Sequence, residues 1–493
     1  MDSNLPREPL ALTLERLAAR ARIVVRPNAL TLIAVASALL TLAVRLPFLD
    51  WPLTVDEAGY AYGAHWWSQG LSLYSDELWF DRPQGIFVAY RVGMWLFGES
   101  TEAMRIHGAL WSAASTVLLV MLAARMFDRR VALITGLLFA VVSGAPRIEG
   151  FVANAEIFML TAATASAYFV WGKHWFAAGL LAGIAIALKP SGGAALLLGV
   201  WWLIHQRESY RGWSMLAAGT AFPLLVSLAH GIATTGLYDY AYATLLFRLE
   251  AGGSEALLPS LATGSFQTLF VWAPLAAAAL LGWRHLPKPD SQRAFLLAWF
   301  ATSLVGVALG GNWWPHYFVQ LIPPLSLLAA AGFVAAARND GLSARQYLTA
   351  GATAPAIAFV LLVWPAATMS PDQGAIDVFP GDRYLNSSPA AAYLRAHTNP
   401  ADQIYVAAIG PDIQYLAQRR STVPYLYGQQ LDELPGAYEL VLERLGQRVA
   451  AYVVVLTWQF DSDAARGSRV LAAIDAGYAY DRSFGDIEVW KRR

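Results

Sequence analysis

Over most of its length the chain is a succession of apolar stretches long enough, or nearly long enough, to cross a lipid bilayer. A helix needs about 20 apolar residues to span a hydrocarbon core ~30 Å thick. Stretches of this kind run over 28–46, 104–126, 131–147, 154–171, 175–189, 192–204, 214–234, 263–283, 294–311, 315–337 and 347–367. The sequence therefore predicts a polytopic α-helical membrane protein of about eleven transmembrane helices. Composition points the same way: 14% of residues are charged, against roughly 25% in soluble domains. Arg16, Arg20, Arg22 and Arg26 precede the first span as they would in a secretory signal, but the many later spans favour a retained helix over a cleaved leader.

Lys and Arg gather in cytoplasmic loops. With residues 1–27 as a cytoplasmic N-terminal segment, sixteen of them fall inside, including Arg125, Arg129, Arg130, Lys173, Arg207, Arg211 and Lys288. Six fall outside: Arg45, Arg82, Arg91, Arg147, Lys189 and Arg248. This orientation, in a plasma (inner) membrane, puts the C-terminal region outside. The short spans 175–189 and 192–204 are read as a tight hairpin with Lys189 at its outer tip. Gly85–Phe97 is read as a helix lying in the interface.

The transmembrane domain extends over 28–370, and charges return from 371 to 493. Apolar runs at 403–409, 449–456 and 483–490 read as strands, with helices at 390–395, 430–446 and 463–475. The expectation is a small extracytoplasmic α/β domain. Zero net charge argues against nucleic acid as a partner, and the absence of cysteine removes disulfides, thiolate metal sites and a cysteine nucleophile.

The long first outer loop, 47–103, carries the sequence Asp56-Glu57-Ala58-Gly59-Tyr60 and, further on, Asp81-Arg82-Pro83-Gln84-Gly85. A carboxylate at the membrane surface can accept a proton from an attacking hydroxyl, and a cation can stabilise a departing phosphate. On residue types alone, a solvated acidic loop is the simpler explanation of the pair. The loop resembles the first periplasmic loop of the GT-C superfamily of glycosyltransferases, in the group of protein mannosyltransferases and aminoarabinose transferases. There an Asp-Glu pair is followed by a Lys-Pro-Pro-like motif, whose place is taken here by Arg82-Pro83-Gln84. The resemblance implies Asp56 as catalytic base, with Glu57 beside it, and inversion at the anomeric carbon. It also implies a polyprenyl-phosphate-linked sugar as donor and a glycan, lipid or protein as acceptor, with membrane lipids around.

Other residues join on the same grounds. Arg82, Lys189, Arg248 and His316 are candidates for binding donor phosphate, although Lys189 and Arg248 also suit anchoring to headgroups and His316 a satisfied interfacial position. Glu156, Asn154 and Arg147 form a second group near the second outer loop, suited to the acceptor; Asn154 reads first as a helix N-cap and second as a ligand. No cofactor is certain. A divalent metal held by Asp56 and Glu156 is one option. The alternatives in other classes are a lipid or solute transporter or flippase and a non-catalytic assembly subunit of a cell-envelope glycan pathway. A transporter would place ionisable groups along a path through the midplane, whereas here they gather at one face.

Overall fold

The computed structural model describes residues 28–250, 257–286, 291–379, 384–407, 410–457 and 464–493. The expected cytoplasmic segment 1–27 and Lys288 lie outside these. The membrane part is built from helices α1 (Ala29–Arg45), α2 (Val55–Ser68), α3 (Gln84–Phe97), α4 (Thr101–Met126), α5 (Arg129–Val142), α6 (Ala155–Trp171), α7 (Trp175–Leu188), α8 (Gly193–His205), α9 (Tyr210–Thr235), α10 (Leu257–Trp283), α11 (Ser291–Leu309), α12 (Ile322–Asn339) and α13 (Ala344–Ala358). Its hub is the span Pro315–Asn339, which is 89% buried, whereas the spans holding α9 and α13 are 22% buried and present most of their surface outward.

Seven helices among the described residues are long and apolar enough to cross a membrane, and Ala155–Trp171 and Trp175–Leu188 are apolar but shorter. The remaining two of the eleven expected spans, 131–147 and 192–204, form helices of 14 and 13 residues, α5 and α8, each only roughly 20 Å long. Pro146 and Pro190 each open a short 3-10 turn next to these helices, because proline supplies no N–H to continue an α-helix. At the second of these turns the chain doubles back. A Cβ on Gly212 would touch both Trp175, at the start of α7, and Leu203, near the end of α8, so α7 and α8 form a hairpin. Helix α3 buries Ile86, Phe87, Ala89 and Tyr90 and exposes Val88, Val92, Trp95 and Leu96. One face thus packs on the protein and the other is apolar and open, as an interfacial helix requires.

The C-terminal domain is a five-stranded sheet in the order β2-β1-β3-β5-β4. Its strands are β1 (Gln403–Ala407), β2 (Arg420–Ser421), β3 (Tyr452–Leu456), β4 (Tyr478–Phe484) and β5 (Ile487–Arg492). β1 runs parallel to β2 and β3, and β5 runs antiparallel to β3 and β4. Alternation assigns Ile404, Val406, Tyr452 and Val454 to one apolar cluster and Tyr405, Ala407, Val453 and Val455 to another, so both faces are covered. Two expectations change. The terminal strand is a hairpin, turning at Gly485-Asp486, where Gly485 takes a left-handed φ of +59°. The helix expected over 430–446 is two helices, Gly428–Glu433 and Ala437–Gly446, because Pro435-Gly436 interrupts it.

Candidate active site

The site starts from a helix cap. Thr54 is extended, its hydroxyl accepts from Glu57 N at 3.4 Å, and Glu57 Oε2 accepts from Thr54 N at 3.2 Å. This reciprocal box begins α2 and sends the two adjacent carboxylates in opposite directions. Glu57 is fully buried. Arg105 of α4 donates to it from Nε at 3.2 Å and from a terminal nitrogen at 2.9 Å, and Ala153 N donates at 2.9 Å. Arg105 also donates to the carbonyls of Phe48, Trp51 and Pro52. Burial would raise the Glu57 carboxyl, but Arg105 and the two backbone donors outweigh it and hold the group below the usual carboxylate range. Glu57 therefore braces the fold. It is not among the groups that face the cluster around Asp56.

Asp56, one residue earlier, keeps 33% of its side chain exposed and faces His316 Nε2 at 4.0 Å. His316 opens the turn Pro315–Leu321 before α12. Its Nδ1 donates to Glu149 Oε2 at 2.8 Å, and its Nε2 lies 3.8 Å from Glu156 Oε1. Glu156, in the first turn of α6, is ion-paired with Lys189 at the tip of the α7–α8 hairpin. The Lys189 ammonium lies 4.2 Å from the centroid of the Tyr317 ring, a cation–π contact.

A second group of charges adjoins the first. Asp81 is ion-paired with both Arg82 and Arg248 and accepts from Gln430 Nε2 at 3.3 Å. Burial pushes Asp81 up, but the two guanidiniums prevail and hold it below its ordinary value. Arg82, though desolvated, is raised by Asp81, Tyr60 and Asp56, which puts the fields of the two groups in reach of one another. Gly85 makes the junction. A Cβ there would lie 2.4 Å from the Ala187 carbonyl oxygen, so its absence lets the Arg82 loop pack on the hairpin just before Lys189.

Asp56, Arg82, Glu156, Lys189, Arg248 and His316 are thus brought together. Besides Glu57, two sequence candidates are not among them. Arg147 is half exposed and pairs with Asp377 at 2.9 Å. Asn154 occupies the N-cap position of α6 without capping it; its Nδ2 donates to Glu149 at 3.1 Å instead. Sequence reasoning missed Asp81, Glu149, Tyr60, Tyr317, Tyr427 and Gln430. The pattern Thr54-x-x-Glu57 was the available sign that Glu57 is a capping residue. Tyr427 has no local sign at all. It comes from the C-terminal domain and lies against Gly59, where a Cβ would fall 1.7 Å from its hydroxyl.

The fold has known counterparts. Residues 81–231, about a third of the chain, match a family described as dolichyl-phosphate-mannose-protein mannosyltransferase. The whole chain is similar in structure to ArnT from Cupriavidus metallidurans bound to undecaprenyl phosphate, with a TM-score of 0.62 and 16% identity over 93% of this chain and 97% of that one. It is also similar to the Archaeoglobus fulgidus oligosaccharyltransferase tethered with an acceptor peptide, with a TM-score of 0.57 and 14% identity over 95% of this chain and 74% of that one. No curated protein sequence matches the chain. The fold is that of the GT-C glycosyltransferases, membrane-embedded and multi-pass.

The same oligosaccharyltransferase is also known in complex with zinc and sulfate, which bears on the metal expected between Asp56 and Glu156. Among the described residues no three His, Asp or Glu side chains converge as a ligand set. Glu156 is already neutralised by Lys189, so a divalent ion there would sit beside an ammonium group. The residues present do not fit a metal at Glu156, and no step below depends on one.

Proposed function

We propose that the chain transfers a glycosyl group from a polyprenyl-phosphate sugar to an acceptor hydroxyl at the non-cytoplasmic face of the membrane, with inversion at the anomeric carbon. The observation that carries this reading is the state of the carboxylates. Glu57, Asp81, Glu149 and Glu156 are each engaged by a cation or a direct donor. Asp56 is part-exposed, has its nearest charged neighbour at 4.0 Å, and faces a group of cations. A base needs a free lone pair and room for a substrate, and Asp56 alone in this cluster has both.

The reaction is a single displacement. Asp56 takes the proton of the acceptor hydroxyl as that oxygen bonds to the anomeric carbon. The bond from carbon to the phosphate oxygen breaks, and its electron pair leaves with the lipid phosphate. Arg82, Arg248 and Lys189 are placed to neutralise the charge that develops there. His316, fixed by Glu149, positions Asp56 and adds a donor to the same pocket. Mass spectrometry of copurified lipid should find a polyprenyl-phosphate hexose or pentose.

Asp56→Asn keeps size and shape and removes the base. Transfer measured with the copurified donor should fall by about 10²–10⁴-fold, with an unchanged melting profile. Wild-type turnover in that variant sinks the reading.

A further inference from the structure

The Arg82 and Arg248 guanidiniums, assigned above to the donor phosphate, are already held by one carboxylate. Asp81 accepts from Arg82, is ion-paired with Arg248 and is 3% exposed. Its other oxygen accepts from Gln430, whose own amide oxygen accepts from Leu426 N at 3.0 Å and Tyr427 N at 3.3 Å. Asp81 thus stands where three segments meet: the loop 47–103, the short helix Phe247–Glu250 and the C-terminal domain. If the pocket were built only to grip phosphate, an amide at this position would keep an oxygen toward the arginines, giving up only the Gln430 bond, without repelling the anion.

A transferase also has to let its product go. The donor is a phosphodiester with one negative charge. The product is a lipid monophosphate, whose second ionisation falls near pH 6, so it carries close to two at neutral pH. A fixed negative charge beside the two arginines repels the product more than the donor. Resting on the function proposed above, we propose that Asp81 is a resident counter-anion: it holds Arg82 and Arg248 in place while the site is empty and expels the lipid monophosphate after transfer. Asp81 acts through the arginines and is a positioning residue.

The test uses the full-length protein in lipid nanodiscs and a short-chain polyprenyl monophosphate as probe. Asp81→Asn should bind this probe at least about tenfold more tightly than wild type at pH 7.5. The advantage should shrink at pH 5.5, where the monophosphate loses its second charge. In steady state the variant should show stronger inhibition by the monophosphate, a lower KM for donor and a lower kcat. Polyprenol without phosphate should bind both proteins alike, and inorganic phosphate at matched concentration separates headgroup capture from lipid capture. Without any anion present the variant should melt below wild type, and added monophosphate should close that gap.

Equal or weaker monophosphate binding by Asp81→Asn overturns the proposal, as does failure of the variant to fold even when purified with the monophosphate. Arg82→Gln and Arg248→Gln separate this outcome from failure of the parent reading. If neither weakens monophosphate binding, the phosphate assignment itself is wrong. If both weaken it while Asp81→Asn does not tighten it, only the counter-anion role is lost.

Discussion

Replacing Glu57 with Gln leaves the Arg105 guanidinium buried without its counter-charge, which should cost about 3–5 kcal/mol. Thermal unfolding in detergent measures this, and a stability within ~1 kcal/mol of wild type would mean that Arg105 finds another anion. The pH dependence carries a sign. The folded-state pKa of Glu57 lies below its ordinary value of 4.5, so its contribution is complete above about pH 5 and drains away as pH falls through the lower folded value. Glu57→Gln should therefore be less acid-sensitive than wild type. Gly59 gives the complementary residue-level test. A methyl there meets the Tyr427 hydroxyl at 1.7 Å, so Gly59→Ala should displace that ring and reduce transfer by roughly 10–100-fold. Tyr427→Phe removes the worse contact, so the double variant should be no worse than Gly59→Ala alone. Losses that simply multiply would show that the two residues act independently.

At the scale of elements, the α7–α8 hairpin is what presents Lys189, and Gly85 is what lets the Arg82 loop rest on it. In Gly85→Ala the new methyl meets the carbonyl of Ala187 and the amide of Leu188, at 2.4 and 2.8 Å. These are backbone atoms that cannot swing aside. The two cations should separate, and KM for the lipid donor should rise by about tenfold while kcat changes less. A variant with lower melting temperature and unchanged KM would reduce Gly85 to a packing residue. These elements also show what a sequence discloses. Long apolar spans such as α4 and α12 are legible because hydrophobicity and length are properties of a segment alone. The short helix α5 stops just before one proline turn and α8 begins just after another, and the terminal hairpin turns at Gly485, all local signals. The pairing of Asp81 with Arg82 was present in adjacent letters, but the second arginine, Arg248, reaches the same carboxylate only through the tertiary fold.

For the whole molecule, the consequence is that the C-terminal domain completes the proposed pocket. Tyr427 rests on Gly59, Gln430 donates to Asp81, and Gln429 accepts from Arg248 at 3.2 Å. Around them Ser421 N donates to the Tyr62 hydroxyl at 2.7 Å, Tyr415 donates to the Glu99 carbonyl at 2.7 Å, and Trp79 N donates to Pro424 O at 3.3 Å. No periodicity or motif links residues so far apart in sequence, which is why the sequence discloses the domain but not the residues it brings to the site. Since hydrogen bonds join its segment 420–430 to Asp81 and Arg248, a phosphate that engages the arginines as proposed has to act on both parts at once. Hydrogen–deuterium exchange of the intact protein should show protection by a short-chain polyprenyl monophosphate in 74–84 and in 420–430 together, with the outer strands β4 and β5 unaffected. Protection confined to the membrane part would mean that the domain is coupled to the pocket by proximity and not by its chemistry.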